Sequence, residues 1–206
     1  MGTLGSGKTT AARILAKALP CRQAGLKFHL LEENFGENAF LSRFYSDMKR
    51  WAFHSQTFFL MEKIAQMLET RTLLEKTSII QDTPIQQDVF SYAKAQHVLG
   101  NIDDAEWKLY QKIYYSFESQ FPKPDLIVFL ETTIHEVEKR ISARGRGYEQ
   151  KIPESYLELL DMLNHKWITE QKEIPVLTIQ TDGFNIVRSK KAQQQMIQTV
   201  QDRLQL

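Results

Sequence analysis

Apolar positions between Thr9 and Leu19 (TTAARILAKAL) recur at helical spacing and stop at Pro20, which predicts a first helix of about three turns. Short apolar runs follow at Leu26 to Leu31, Ser78 to Gln81, Asp125 to Leu130 and Pro175 to Ile179, each bounded by charged, Pro or Gly residues. Such runs, rich in Ile, Val and Leu, read as buried parallel strands. Longer stretches of helical periodicity lie between and after them: roughly Phe40 to Glu75, Gln87 to Leu99, Asp103 to Gln120, His135 to Arg144, Pro153 to Gln171, and Asn185 to the end. Strands alternating with helices predict a three-layer α/β fold whose crossovers are long enough to make the central sheet parallel. No internal repeat or low-complexity linker divides the chain, so residues 1–206 read as one domain, with Gln193-Gln194-Gln195 as a polar helix face.

Composition narrows the function classes. The 26 Lys+Arg against 25 Asp+Glu leave a formal charge of +1, without the basic excess on which binding to polymeric DNA or RNA depends. The one cysteine, Cys21, cannot close an internal disulfide and reads as a structural thiol in a reducing compartment. No apolar run approaches the roughly 20 residues of a membrane-spanning helix, and the N-terminus lacks the layout of a secretory signal, so the expected location is the cytoplasm. Met1-Gly2 with Ser6 also fits a weak myristoylation pattern, but these glycines have a better use.

Gly2-Thr3-Leu4-Gly5-Ser6-Gly7-Lys8-Thr9 matches G-x-x-x-x-G-K-S/T at every fixed position and runs into an amphipathic helix, the context that this phosphate loop requires. Glycines let the main chain fold round a phosphate so that successive N–H groups, through Thr10 in the first helical turn, face the anion. Lys8 is expected on the β/γ-phosphates and Thr9 on Mg²⁺. A phosphate loop normally follows a strand, yet only Met1 precedes this one. The expectation is therefore a sheet lacking its first, central strand, with a reading frame that opens too late as the preferred explanation.

Other residues bear on which reaction the nucleotide serves. Arg140 and Arg144 stand i, i+4 on one helical face and Arg146 follows a glycine, so three cations can converge on a transferring phosphoryl group; a solvated basic helix end is the plainer alternative. Glu32 and Glu33 end the first predicted strand, where α/β folds place their ligand crevice, and a carboxylate there can accept a hydroxyl proton. Asp82 ends the second, placed to hold Mg²⁺.

Together with further segments, these residues resemble the deoxynucleoside kinases, a family of P-loop kinases, over nearly the whole chain. The segments are Glu33-Asn-Phe-Gly-Glu-Asn38-Ala-Phe-Leu, Phe44-Tyr45 through Arg50-Trp51-Ala-Phe53 to Gln56, Asp82 to Ala93, and Arg140-x3-Arg144-Gly-Arg146-x2-Glu149-Gln150-x-Ile152-Pro153-x2-Tyr156-Leu157. The last resembles that family's Arg-rich lid, at about 140–152. The resemblance implies phosphoryl transfer from ATP, with Mg²⁺, to the 5′-hydroxyl of a deoxynucleoside in nucleotide salvage, by a homodimer paired through helices. It implies Glu33 as the carboxylate that activates the 5′-hydroxyl, and Gln56 as the amide that reads the base edge. Tyr45 and Glu149 resemble the pair on the 3′-hydroxyl, Asp88 and Tyr92 a base-site acid and a stacking aromatic, and Arg140, Arg144 and Arg146 the lid arginines, with Arg144 also touching ATP. Lys63 stands where many relatives carry arginine. Trp51 and Phe53 read as a buried aromatic stripe.

One departure stands out. Relatives usually carry Glu-Arg-Ser or Asp-Arg-Ser after the second strand of this chain, which reads Asp82-Thr83-Pro84 instead, so the arginine that reaches the 5′-hydroxyl and the phosphates is absent and Lys63 or a lid arginine has to replace it. Pro84 is expected to hold Thr83 extended. Two alternatives follow: a kinase of another small acceptor, such as a nucleoside monophosphate, and a nucleotide-binding regulatory or inactive subunit.

Overall fold

Each aliphatic run becomes a strand, and each stretch of helical periodicity becomes a helix or a succession of helices. The structure, a computed structural model, describes residues 1–21, 26–33, 35–149 and 152–206; Asn34 and Gln150 of the quoted motifs lie outside them. The strands are β1 (His29–Leu31), β2 (Ile79–Gln81), β3 (Ile127–Glu131) and β4 (Val176–Gln180). The helices are α1 (Lys8–Ala18), α2 (Leu41–Ser46), α3 (Met48–Leu73), α4 (Ile85–Gln87), α5 (Lys94–Val98), α6 (Asp104–Phe117), α7 (Ile134–Arg144), α8 (Glu154–Glu170) and α9 (Lys190–Leu204). A π-helical stretch, Asp88–Ala93, joins α4 to α5.

β1 pairs in parallel with β2, placing His29 opposite Ile79, and β3 with β4, placing Ile127 opposite Val176. The described strands thus form two parallel pairs rather than one continuous sheet. A cavity of about 420 Å³, lined by residues of both β2 and β3 and by Ala11 and Leu15 of α1, lies between the pairs. The Met1 main chain reaches this place: its amino group donates to Val128 O at 2.8 Å, and Leu130 N–H donates to Met1 O at 2.9 Å. Among the described residues, Met1 alone occupies the position expected for the central strand.

Three boundaries differ from the sequence expectation by three residues or more, and two of them have a local cause. β1 begins at His29, three residues after Leu26. The single helix expected from Phe40 to Glu75 breaks at Asp47, whose backbone leaves the helical region (φ −149°) while its carboxylate caps α3 by accepting from Arg50 N–H at 3.0 Å. Asn185 does not begin the last helix: its side-chain oxygen accepts from Val187 and Arg188 N–H, both at 3.0 Å, and the turn so made delays α9 until the Ser189 cap. Asn and Ser compete for backbone groups in this way wherever helices start.

Two apolar clusters hold the layers together. One joins Leu60 and Ile64 of α3 to Ile85, Tyr110 and Tyr114; Trp51 and Phe53 pack on its edge and are half-buried, not buried as the aromatic stripe predicted. The other joins Leu15 of α1 and Leu130 of β3 to Met196 and Val200 of α9. Cys21 Sγ donates to Ser78 Oγ at 3.3 Å, in keeping with a structural thiol. Among the described residues no helix is long and apolar enough to cross a membrane.

α6 starts with a reciprocal cap. The Asp103 carboxylate accepts from Ala105 and Glu106 N–H, both at 2.8 Å, while Glu106 Oε2 accepts from Asp103 N–H at 3.0 Å. Such caps contribute about 1 kcal/mol. Asp103→Ala should therefore lower the unfolding free energy by roughly that amount in a denaturant titration, with the slope against denaturant unchanged.

Candidate active site

The parallel strands point their C-terminal ends at one crevice, and the chain places charged residues directly after them. β1 leads into Glu32 and Glu33, β2 into Asp82, and the loop at residues 2–7 leads into α1 beside them. Gly7 caps α1 with φ 101°, a left-handed conformation that glycine adopts without a Cβ penalty. At Gly2 space decides: a Cβ there would lie 2.6 Å from both Leu130 O and Ser6 Oγ. The loop closes on itself through Ser6 N–H to Thr3 O at 3.0 Å, and Thr9 and Thr10 occupy the first turn of α1.

Three side chains from outside the loop hold its main chain or its hydroxyl. Gln87 bonds both backbone groups of Gly2. Asp161 accepts from Thr3 Oγ1 at 2.8 Å. Arg140 donates to Ser6 O at 3.0 Å, while also bonding Thr181 O and Oγ1 and Glu136. The convergence expected of three arginines is thus met by two. Arg144 and Arg146 both reach Glu149, which is 3% exposed, whereas Arg140 clamps the loop to the turn after β4. Arg140 and Arg144 share a face, but the Gly145 cap (φ 67°) turns the chain so that Arg146 joins Arg144 and not Arg140.

Lys8 Nζ donates to Gly2 O at 2.8 Å and Thr3 O at 3.1 Å, and lies 3.5 Å from Tyr92 Oη. Burial pulls its pKa down, opposed by the charges of Asp82, Glu33 and Asp88 and reinforced by Arg144. Glu32 and Glu33, adjacent in sequence, part company here. Glu32 pairs with Arg13 at the surface, and that bond holds its carboxyl below the ordinary glutamate range. Glu33 turns into the crevice, where burial raises its pKa against the pull of Lys63 and Lys8.

α3 supplies the acceptor side. Gln56 and Lys63, seven residues apart, lie on one face two turns from each other and are 5% and 1% exposed. Lys63 Nζ donates to Asp82 O at 2.9 Å, fixing the start of the Asp82-Thr83-Pro84 turn. Thr83 is not extended as Pro84 suggested: its φ is 55°, a left-handed conformation that strains a β-branched residue by about 1–3 kcal/mol. Asp82 Oδ1 and Asp88 Oδ2 are buried without a hydrogen-bond partner. Burial first, then the Glu33 charge, drives the Asp88 pKa well above the ordinary range, and the same two causes raise that of Tyr92. Asp88 and Tyr92 both belong to the π-helical stretch, a distortion frequent at functional sites. Tyr45 of α2 is half-buried, and α2 lies against the turn at Gly147–Glu149, so Tyr45 and Glu149 come from adjacent elements.

The sequence reading missed Gln87 and Asp161 altogether. Their partners lie 85 and 158 residues away, and no local pattern marks a glutamine or an aspartate as a main-chain or hydroxyl clamp.

A family model described as deoxynucleoside kinase matches residues 1–205. The chain is 29% identical to the deoxyadenosine/deoxycytidine kinase of Bacillus subtilis, over 97% of this chain and 88% of that one. It is 28% identical to the deoxyguanosine kinase of the same organism, over 92% and 88%. It is 31% identical to a probable deoxycytidine kinase of fowlpox virus, over 88% and 77%. The fold is shared with a deoxyadenosine kinase from M. mycoides solved with bound dCTP, at a TM-score of 0.80 and 22% identity, covering all of this chain and 96% of that one. Monophosphate kinases and inactive subunits have no counterpart among these relatives. The P-loop kinase fold, the crevice at the strand ends and the match along almost the full length agree: the chain belongs to the deoxynucleoside kinase family.

Proposed function

We propose that this crevice transfers the γ-phosphoryl group of ATP to the 5′-hydroxyl of a deoxynucleoside, yielding the 5′-monophosphate and ADP, with Glu33 as the general base. The observation that carries this reading is the divergence of the two adjacent glutamates: Glu32 is spent on Arg13 at the surface, while Glu33 faces Lys8 and Lys63 in the crevice. A raised carboxylate pKa suits proton acceptance from a hydroxyl near neutral pH. Glu33 takes the 5′-hydroxyl proton as the O5′–P bond forms and the bond from phosphorus to the β,γ-bridging oxygen breaks; the electron pair of that bond leaves with ADP, and the proton passes from Glu33 to solvent. Lys8 exchanges its carbonyl partners for β/γ-phosphate oxygens within the amide-lined loop of Gly2 to Thr10. Arg144 and Arg146 exchange Glu149 for the transferring group as Glu149 and Tyr45 take the 3′-hydroxyl. Gln56, Asp88 and Tyr92 receive the base, with Lys63 balancing their charge, and Arg140 keeps the loop in place.

Mg²⁺ fits the residues present. Asp82 Oδ1 is an orphaned carboxylate oxygen, and Thr9 offers a hydroxyl from the first turn of α1. Among the described residues no group of three or more His, Cys, Asp or Glu side chains could hold a metal by itself. A cation held by one carboxylate, one hydroxyl, substrate phosphates and water is the usual arrangement for Mg²⁺. When bound, the ion supplies charge neutralisation at the β- and γ-oxygens. A homodimer through helices is supported by exposed Met61 of α3 and by Leu109 and Tyr115 of the neighbouring α6. A cytoplasmic location is supported by the cysteine count, since a single cysteine, Cys21, closes no internal disulfide.

Replacing Glu33 by Gln keeps the shape and removes the proton acceptor, so kcat should fall by about 10²-fold or more, with deoxynucleoside affinity little changed. The same loss in Glu32→Gln, with Glu33→Gln active, contradicts the assignment. Because Glu33 works ionised and its pKa is raised, kcat/KM of the wild type should decline on the acid side from a pH above the ordinary glutamate range, and Glu33→Gln should lose that limb.

The raised Asp88 pKa has a stability counterpart. A carboxyl whose folded pKa exceeds its unfolded one contributes stability that is complete below the unfolded value and is lost as pH rises through the folded value. Asp88→Asn should therefore raise the Tm of the substrate-free protein at pH 7 to 8, and the gain should vanish below about pH 4.

A further inference from the structure

We propose that Gln87 is a positioning residue for the phosphate loop: its side-chain amide takes the place of a neighbouring strand at the point where the loop leaves β3, and holds Gly2 at the height that nucleotide binding requires. The inference rests on the ATP-binding role given to the loop above.

Gln87 is fully buried, 0% exposed, and uses both ends of its amide on one residue. Its Oε1 accepts from Gly2 N–H at 3.2 Å, and its Nε2 donates to Gly2 O at 2.6 Å. A side-chain amide has the donor and acceptor of a peptide unit, so this pair of bonds resembles one rung of a sheet ladder. Such a rung is needed at this point. Met1 O accepts from Leu130 N–H, and beyond that bond the main chain turns away from β3 into the loop. No larger residue fits at this point, because a Cβ on Gly2 would lie 2.6 Å from both Leu130 O and Ser6 Oγ.

Gly2 O accepts from two donors, Gln87 Nε2 at 2.6 Å and Lys8 Nζ at 2.8 Å. When Lys8 turns to a phosphate, Gly2 O loses that bond. A buried carbonyl left with no partner is unfavourable, so the Gln87 bond is what lets Lys8 leave without the loop rearranging. Gln87 also precedes Asp88 directly, and Tyr92 one turn later lies 3.5 Å from Lys8 Nζ. The helix that lines the acceptor side therefore holds the donor loop through Gln87, and ATP affinity should depend on Gln87 more than acceptor affinity does.

The test compares Gln87→Met, which keeps length and removes both bonds, with Gln87→Glu, which keeps the acceptor for Gly2 N–H and as a carboxylate loses the donor to Gly2 O. ATP binding is measured calorimetrically without acceptor, and deoxyadenosine and deoxycytidine binding without ATP. The expected result is a loss of tenfold or more in ATP affinity and a matching rise in the KM for ATP in Gln87→Met, a smaller loss in Gln87→Glu, and deoxynucleoside affinities within about twofold of wild type. If the Met variant fails to fold, the Glu variant decides alone. Unchanged ATP affinity in a folded variant overturns the inference, as does a parallel loss for ATP and deoxynucleosides. Failure of both variants to fold also overturns it, since Gln87 is then part of the core and not a positioning residue. A wild-type protein that does not bind ATP overturns the proposed function as well; one that binds ATP, with variants that bind it equally, overturns the inference alone.

Discussion

The site depends on the mutual neutralisation of two lysines and three carboxylates that the strand ends and α3 bring together. Lys8 and Lys63 face Glu33, Asp82 and Asp88, and each feels the charge of several others. Removing either lysine leaves carboxylate charge withdrawn from water without compensation, which is strongly destabilising, whereas neutralising the surplus carboxylate relieves repulsion. The set also carries one more carboxylate than cation, and its effect is visible where burial and the neighbouring acid together lift the Asp88 and Glu33 pKa values.

What the sequence could reveal follows from which interactions are local. The phosphate loop is legible because its chemistry is packed into eight consecutive residues, and the strands because an aliphatic run between polar boundaries has few other uses. The break at Asp47 was legible in principle, as an Asp before a helical turn is a common cap. The separation of Glu32 from Glu33 was not, because it depends on Arg13 reaching across from α1. Nor was the parting of Arg140 from Arg144, which turns on the presence of Thr181 and Ser6 beside one guanidinium and Glu149 beside the other. Sequence spacing places side chains on a face, but only the packed neighbours decide where their charge goes.

The Asp82-Thr83-Pro84 turn shows how a departure from the family pattern is accommodated. Thr83 is buried in a left-handed conformation, and the turn is held from one side by the Lys63 bond to Asp82 O. Lys63 therefore reaches the turn at which the family resemblance implied an arginine. Its ammonium supplies a point charge where a guanidinium would supply a planar fork, so the charge is retained and the two-pronged geometry is not.

The account stands or falls on the identity of the acceptor oxygen. The most direct measurement is ³¹P NMR of the products formed by wild-type protein, Mg²⁺, ATP and each of the four deoxynucleosides in turn. The account predicts, with at least one of them, a deoxynucleoside 5′-monophosphate appearing in equal amount to ADP. ADP formed with inorganic phosphate alone, phosphate on the 3′-oxygen, or no turnover with any of the four contradicts it.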